Sequence, residues 1–259
     1  MYGQSVEEAA LTGSRKYDFA RSNPLGYFVA AILAGIYVGL GIVLIFAVGA
    51  PFAQADHPAI KLVMGISFGL ALTLVVFAGS ELYTGNVMFM TFARLNGKAS
   101  WRNLAYVWSL SWLGNLAGAL ALAWLVVASG SVAAAGDFIG RAGLAKTTVS
   151  PGLLVGSGIL CNILVCLALW TSSRTRSDPA KILLICWCLY GFIGSGFEHS
   201  VANMTMLALA VFGGDGQGLG WGGYAYNLLW VTLGNTIGGM LLACAYTVAS
   251  RPAKPAAQA

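Results

Sequence analysis

Three observations on this chain predict an all-α membrane protein of six spanning helices. Apolar residues make up 58% of its 259 positions and charged ones 9%, a balance that a water-exposed globule of this size does not tolerate. The apolar positions gather into six stretches of about 20 residues or more, the length that crosses a hydrocarbon core. A Leu-Gly-Asn motif with a further glycine appears in the third stretch (Leu113-Gly114-Asn115, then Gly118) and again in the sixth (Leu233-Gly234-Asn235, then Gly238). The repeat divides the six helices into two halves of three. An odd number of spans per half gives the halves opposite topology, so the expected architecture is an inverted repeat.

Along the chain, the segment 1–24 is polar and mixed in charge. It has no apolar core followed by a small-residue cleavage site, so no removable signal peptide is expected. Spans are expected at about 25–48, 60–92, 104–128, 152–171, 180–212 and 222–249, forming one membrane domain (25–249) between the tails 1–24 and 250–259. Arg15, Lys16, Arg21, Arg94, Lys98, Arg102, Arg174, Arg176, Lys181, Arg251 and Lys254 fall on one face of that arrangement. Only Lys61, Arg141 and Lys146 fall on the other. The asymmetry places both termini in the cytoplasm. It also accounts for the net charge of +5 as a topology signal, so no nucleic-acid partner is expected.

The connection 129–150 is rich in Gly, Ala and Ser and carries Arg141 and Lys146. It reads either as a linker or as a loop at a pore mouth. All five cysteines (Cys161, Cys166, Cys186, Cys188, Cys244) lie inside apolar spans and read as small buried hydrophobes, with neither disulfide nor metal expected. Glycine pairs four apart, Gly35/Gly39, Gly65/Gly69, Gly114/Gly118, Gly152/Gly156 and Gly234/Gly238, are expected to let helix backbones pack closely.

The second and fifth stretches are interrupted by polar and ionisable residues, Gly79-Ser80-Glu81-Leu82-Tyr83-Thr84-Gly85-Asn86 and Gly196-Phe197-Glu198-His199-Ser200. Ionisable groups at membrane depth are expensive and mark transport pathways, and two broken helices in corresponding halves point to a substrate site. The half-helices that follow, starting near Asn86 and Ser200, would present free N–H groups and a dipole that favour an anion. His199 is the group there that can exchange a proton near neutral pH. Thr84 is read in two ways, as a partner of that imidazole or as a hydroxyl bonding its own loop backbone. Glu81 and Glu198 are expected to be structural acceptors for loose N–H groups at the breaks or for the amides of Asn115 and Asn235, because a carboxylate at the substrate would repel an anion. Asn203 is grouped with these structural polar residues. Phe68, Leu72 and Phe192, at helical spacing, read as plain core. One His and two Glu make a poor metal set, and none is expected.

At these residues the chain resembles the formate/nitrite transporter family. The resemblance rests on Glu81-Leu82-Tyr83-Thr84-Gly85-Asn86, on Leu160-Cys161-Asn162-Ile163-Leu164-Val165-Cys166 and on Ser195-Gly196-Phe197-Glu198-His199-Ser200-Val201-Ala202-Asn203-Met204, and extends over nearly the whole chain. Thr84-Gly85, Leu144-Ala145-Lys146-Thr147-Thr148 and Leu229-Trp230-Val231-Thr232 are most similar to its nitrite branch. The resemblance implies a homopentamer of separately conducting, aquaporin-like protomers in the bacterial inner membrane, around a lipid-filled or blocked five-fold centre. It maps His199 as the central pore histidine, Thr84 as its partner on a mobile loop, Lys146 as a cation in the outer vestibule and Asn162 as a polar pore neighbour. Phe68, Leu72, Leu82 and Phe192 fall on its constriction positions.

The function so implied is passage of a small monovalent anion, nitrite first, linked to a proton through His199 or its water. Formate or hydrosulfide, or a neutral solute without proton movement, are the alternative cargoes. No paired catalytic carboxylates, cofactor loop or metal-ligand repeat suggests an enzyme, and no cofactor is expected.

Overall fold

The computed structural model describes residues 2–213 and 219–251; Lys254 and the rest of the predicted tail beyond Arg251 lie outside them. The described residues are all-helical, with six segments long and apolar enough to cross a membrane: Pro24–Gln54, Ile60–Gly79, Trp101–Ala128, Pro151–Ser173, Asp178–Ser195 and Trp221–Ala249. In chain order the helices are α1 (Gly3–Ser22), α2 (Pro24–Gln54), α3 (Ile60–Ser67), α4 (Gly69–Leu74), α5 (Tyr83–Leu95) and α6 (Trp101–Ala128), followed by α7 (Gly136–Thr147), α8 (Pro151–Ser173), α9 (Asp178–Ser195), α10 (Ser200–Gly213) and α11 (Trp221–Ala249). A π-helical turn, Val75–Gly79, ends the α4 segment.

Local sequence sets several of these starts. Asn23 caps α2, its Oδ1 accepting from the Gly26 N–H at 2.9 Å, with Pro24 in the first position where its missing N–H costs nothing. Ser100 caps α6 and Ser177 caps α9 in the same way.

Two helices lie where the sequence predicts no regular structure. The polar segment 1–24 is the helix α1, whose Val6, Ala9, Ala10, Gly13 and Ala20 are buried at helical spacing. Its first turns pack on Met88, Phe92, Cys166, Trp170 and Ala243. The connection 129–150 is mostly α7, with Lys146 in its last turn, rather than a loop.

Backbone-to-backbone packing joins α2 to α6 and α8 to α11. A Cβ added at Gly118 would stand 2.1 Å from the Ile32 carbonyl oxygen, and one at Gly238 would stand 2.4 Å from that of Ile159. Gly114 and Gly234 meet the same neighbours one turn away, at Phe28 and Val155. Both Leu-Gly-Asn segments are therefore close-approach sites, as expected for helices that associate in lipid by packing rather than by hydrophobic drive. Gly152 and Gly156 differ: a Cβ at either meets nothing within 4 Å among the described residues of the chain. The expected result of Gly118→Val is a loss of about 3 kcal/mol, because the obstacle is backbone that cannot rotate away. Gly156→Val should be neutral in the same thermal-unfolding assay in detergent.

Candidate functional site

The segments Ser80 to Leu82 and Phe197 to His199 carry the polar residues singled out above, and the asparagine and lysine ties of one recur in the other. Each follows a glycine in the left-handed region, Gly79 at φ 80° and Gly196 at φ 74°, a conformation that favours glycine. Two residues after each glutamate a helix begins, and its first N–H is held from another helix. Asn115 Oδ1 accepts from Tyr83 N at 2.9 Å, and Asn235 Oδ1 accepts from Ser200 N at 2.8 Å. The amide of Asn115 donates to the carbonyls of Ala31 and Glu81, and that of Asn235 to those of Gly158 and Glu198. Two backbone groups freed at each junction, an N–H and a carbonyl, are thus tied across to a neighbouring span.

Each glutamate is paired with a lysine from a helix outside the spans. Lys16 of α1 reaches Glu81 Oε2 at 2.7 Å, and Lys146 of α7 reaches Glu198 Oε1 at 2.5 Å. An asparagine five residues on completes each set: Asn86 donates to Glu81 Oε2 at 2.9 Å and Asn203 to Glu198 Oε2 at 2.6 Å. Asn86 also donates to Tyr27 and Ser111, and Asn203 to Asn227. The glutamates were expected to accept from loose N–H groups or from Asn115 and Asn235, and that expectation is corrected here. The carboxylates take lysine ammonium groups, and it is their backbone carbonyls that take the two asparagine amides. A buried carboxylate needs a full countercharge, which an amide does not supply.

His199 sits where the two junctions meet, 4% exposed. It is the residue just before α10, and its Nδ1 accepts from the Ala202 N–H at 3.1 Å, so the ring caps the helix. A backbone N–H can only donate, so Nδ1 is unprotonated and the neutral ring carries its proton on Nε2. Nε2 lies 3.0 Å from Thr84 Oγ1, which therefore accepts from it. Of the two readings for Thr84, the imidazole contact is the one observed. By the same ties, the counterpart of His199 in the other junction is Leu82, each preceding the residue held by Asn115 or Asn235. The expected anion site on free N–H groups is also reduced, since those of Tyr83, Ser200 and Ala202 are already taken.

Around the ring lie two cavities. One, of about 180 Å³, is lined by Lys146, Phe197, Asn203, Phe192 and His199 among others, and is bounded on one side by α7. The other, of about 10 Å³, has room for about one water and is enclosed by Phe68, Leu72, Leu82, Val165, Phe192 and His199 with Val38, Ala71 and Leu189. Phe68 and Phe192 meet edge to face at 5.4 Å, and the Phe192 ring lies nearly parallel to that of His199 at 5.9 Å. Residues that look like plain core at helical spacing thus wall a small apolar chamber against the histidine.

Asn162 lines neither cavity. Fully buried, it donates to the carbonyls of Thr84 and Asn235, bracing the contact from behind. Lys16, Tyr27, Asn86, Ser111 and Asn227 were not anticipated. The first four surround Glu81, and a signal existed for Asn86: the spacing Glu-x-x-x-x-Asn occurs in both junctions.

Six apolar spans, two charge-bearing junctions and an imidazole beside an apolar chamber define a multi-pass membrane protein of the transport class. Comparison with known proteins makes the class specific. The model of the formate/nitrite transporter family matches residues 3–249, and the chain belongs to that family. It is 43% identical over 241 residues to the nitrite transporter NirC of Escherichia coli (strain K12), covering 92% of this chain and 88% of the relative. Among solved structures, an FNT family ion channel superposes with a TM-score of 0.90 at 42% identity, covering 95% of this chain and 98% of that one. A pentameric formate channel with formate bound gives 0.79 at 28% identity, with 89% and 98% covered.

Proposed function

We propose that the protein passes nitrite, or a closely related small monovalent anion, together with a proton. The observation that carries this reading is what lies against the His199 ring: a cavity that carries the Lys146 cation, the Thr84 contact at Nε2, and a chamber with no charged side chain. An anion nearing that chamber loses water, which raises its affinity for a proton, and the neutral acid that results crosses without the cost of a buried charge. The Nε2–H of His199 meets the anion in place of Thr84. Because Nδ1 is held by Ala202, the ring serves as a fixed donor, and the proton comes from vestibule water. Formate and hydrosulfide fit the same scheme as secondary cargoes.

The asparagine and lysine ties shared by the two junctions support an inverted repeat, with α3–α5 and α9–α10 as the second and fifth passages, each broken at mid-depth in an aquaporin-like protomer. The pentameric relative supports a homopentamer. The basic-residue asymmetry supports a bacterial inner-membrane location with both termini in the cytoplasm.

The test is uptake of nitrite, formate, hydrosulfide and acetate into proteoliposomes with internal pH recorded together. Nitrite uptake with matching proton entry is expected, whereas uptake of nitrite that leaves internal pH unchanged would overturn the proton linkage. Orientation is tested with cysteines placed at Arg102 and Arg141, both exposed. In intact cells the first should be shielded from an impermeant thiol reagent and the second labelled, and the reverse would invert the topology.

A further inference from the structure

The end of α5, the turn after it and the start of α6 carry Arg94, Lys98 and Arg102 within nine residues, and a cavity of about 520 Å³ opens there, lined in part by Arg94, Gly97, Lys98, Ser100 and Trp101. Nothing in the transport pathway uses it. From these residues we infer that the cavity binds the phosphate of an anionic membrane lipid headgroup.

Four observations point the same way. The first is charge: of the two cations that line the cavity, Lys98 is paired with Glu7 at 2.8 Å while Arg94 has no acidic partner among the described residues, which leaves an excess of one positive charge, with Arg102 close by in sequence. The second is the state of Arg94. Its guanidinium is stacked 5.3 Å over the Trp101 ring, and its buried Nε has no hydrogen-bond partner among the described residues. Stacking thus positions the guanidinium while its Nε has no protein acceptor among the described residues, and a planar guanidinium matches phosphate oxygens two at a time.

The third is the start of α6 at the cavity wall. Ser100 Oγ takes the Asn103 N–H, but the earlier N–H groups of a 28-residue helix are left for an anion. The fourth is depth. The site lies at the ends of two membrane-associated helices on the face that collects the basic residues, with Trp101 54% exposed and Leu95 43% exposed beside it. Tryptophan and apolar side chains at that level belong with headgroups and acyl chains, which favours a lipid phosphate over a free one.

The experiment uses the full-length protein purified in a mild detergent and supplied with phosphatidylglycerol or phosphatidylcholine, with bound lipid read by native mass spectrometry. Retention of phosphatidylglycerol above phosphatidylcholine is expected, falling roughly fivefold for each of Arg94→Gln and Lys98→Gln. Arg251→Gln, a basic residue on the same face but away from the cavity, should retain lipid like the wild type. A photoactivatable phosphatidylglycerol on the wild-type protein should label peptides spanning 94–103, a readout that needs no variant to fold. Equal retention of the two lipids, labelling elsewhere, or an equal loss in Arg251→Gln would overturn the site. Displacement of the lipid by millimolar inorganic phosphate would overturn the lipid as its ligand.

Discussion

His199→Asn is expected to fold, carry nitrite within about tenfold of the wild-type rate and still move protons with it, whereas His199→Leu is expected to lose transport by about a hundredfold. The difference follows from the two jobs of the imidazole. Nδ1 caps α10 on the Ala202 N–H and Nε2 donates toward Thr84. Asparagine is among the best capping residues and keeps an N–H donor, so it retains both jobs in weaker form. Leucine retains neither and leaves the Ala202 N–H without an acceptor, at a cost of about 1–2 kcal/mol. The assay is nitrite uptake with internal pH recorded in the same proteoliposomes. If the asparagine variant carries nitrite without protons, the ring itself shuttles the proton and vestibule water is not its source.

The second large effect concerns the pair Lys146–Glu198. Lys146→Gln should lower nitrite uptake at least tenfold and destabilise the protein by about 2 kcal/mol, since Glu198 is then a carboxylate with 10% of its side chain exposed and no countercharge. The exposure of Lys146, 26%, is the reason for a figure below that for a fully buried pair. The double variant Lys146→Gln with Glu198→Gln should regain most of the stability and much of the uptake. A lysine acting alone as an electrostatic funnel predicts the opposite, a double variant as poor as the single and a strong dependence on salt. With the pair intact its charges nearly cancel, so only weak salt dependence is expected. A thermodynamic cycle over the four proteins measures the coupling; a coupling near zero would show that the 2.5 Å contact contributes nothing.

The spans were legible because their signal is local: about 20 apolar residues in a row have few other meanings. The junctions were legible for a related reason, since Glu81, Glu198 and His199 are costly where they stand and so announce a site. What escaped was long-range or weakly encoded. Lys16 meets Glu81 across 65 positions and Lys146 meets Glu198 across 52, and no spacing rule links them. As flank residues they look like topology charges or vestibule attractants. The helix α1 did carry a signal, Val6, Ala9, Ala10 and Gly13 at helical spacing, but alanine and glycine make a faint stripe. The capping role of His199 was hidden because histidine is not among the usual capping residues.

The ties at the two junctions also bear on tempo. Asn115 and Asn235 pin the Tyr83 and Ser200 N–H groups to the third and sixth spans, and Glu81 N–H is held by the Ala30 carbonyl as well. Shifting either junction means breaking several such bonds at once, a collective event on the microsecond to millisecond scale. The side chains that close the chamber, Phe68, Leu72, Leu82 and Phe192, are buried, but they can move by rotation about their own bonds with no backbone hydrogen bond broken. The expected consequence is that cargo is admitted when these side chains part, with throughput set by how often they do so rather than by a cycle of alternating shapes. Its flux should then rise smoothly with substrate, without the early saturation that a slow conformational step imposes.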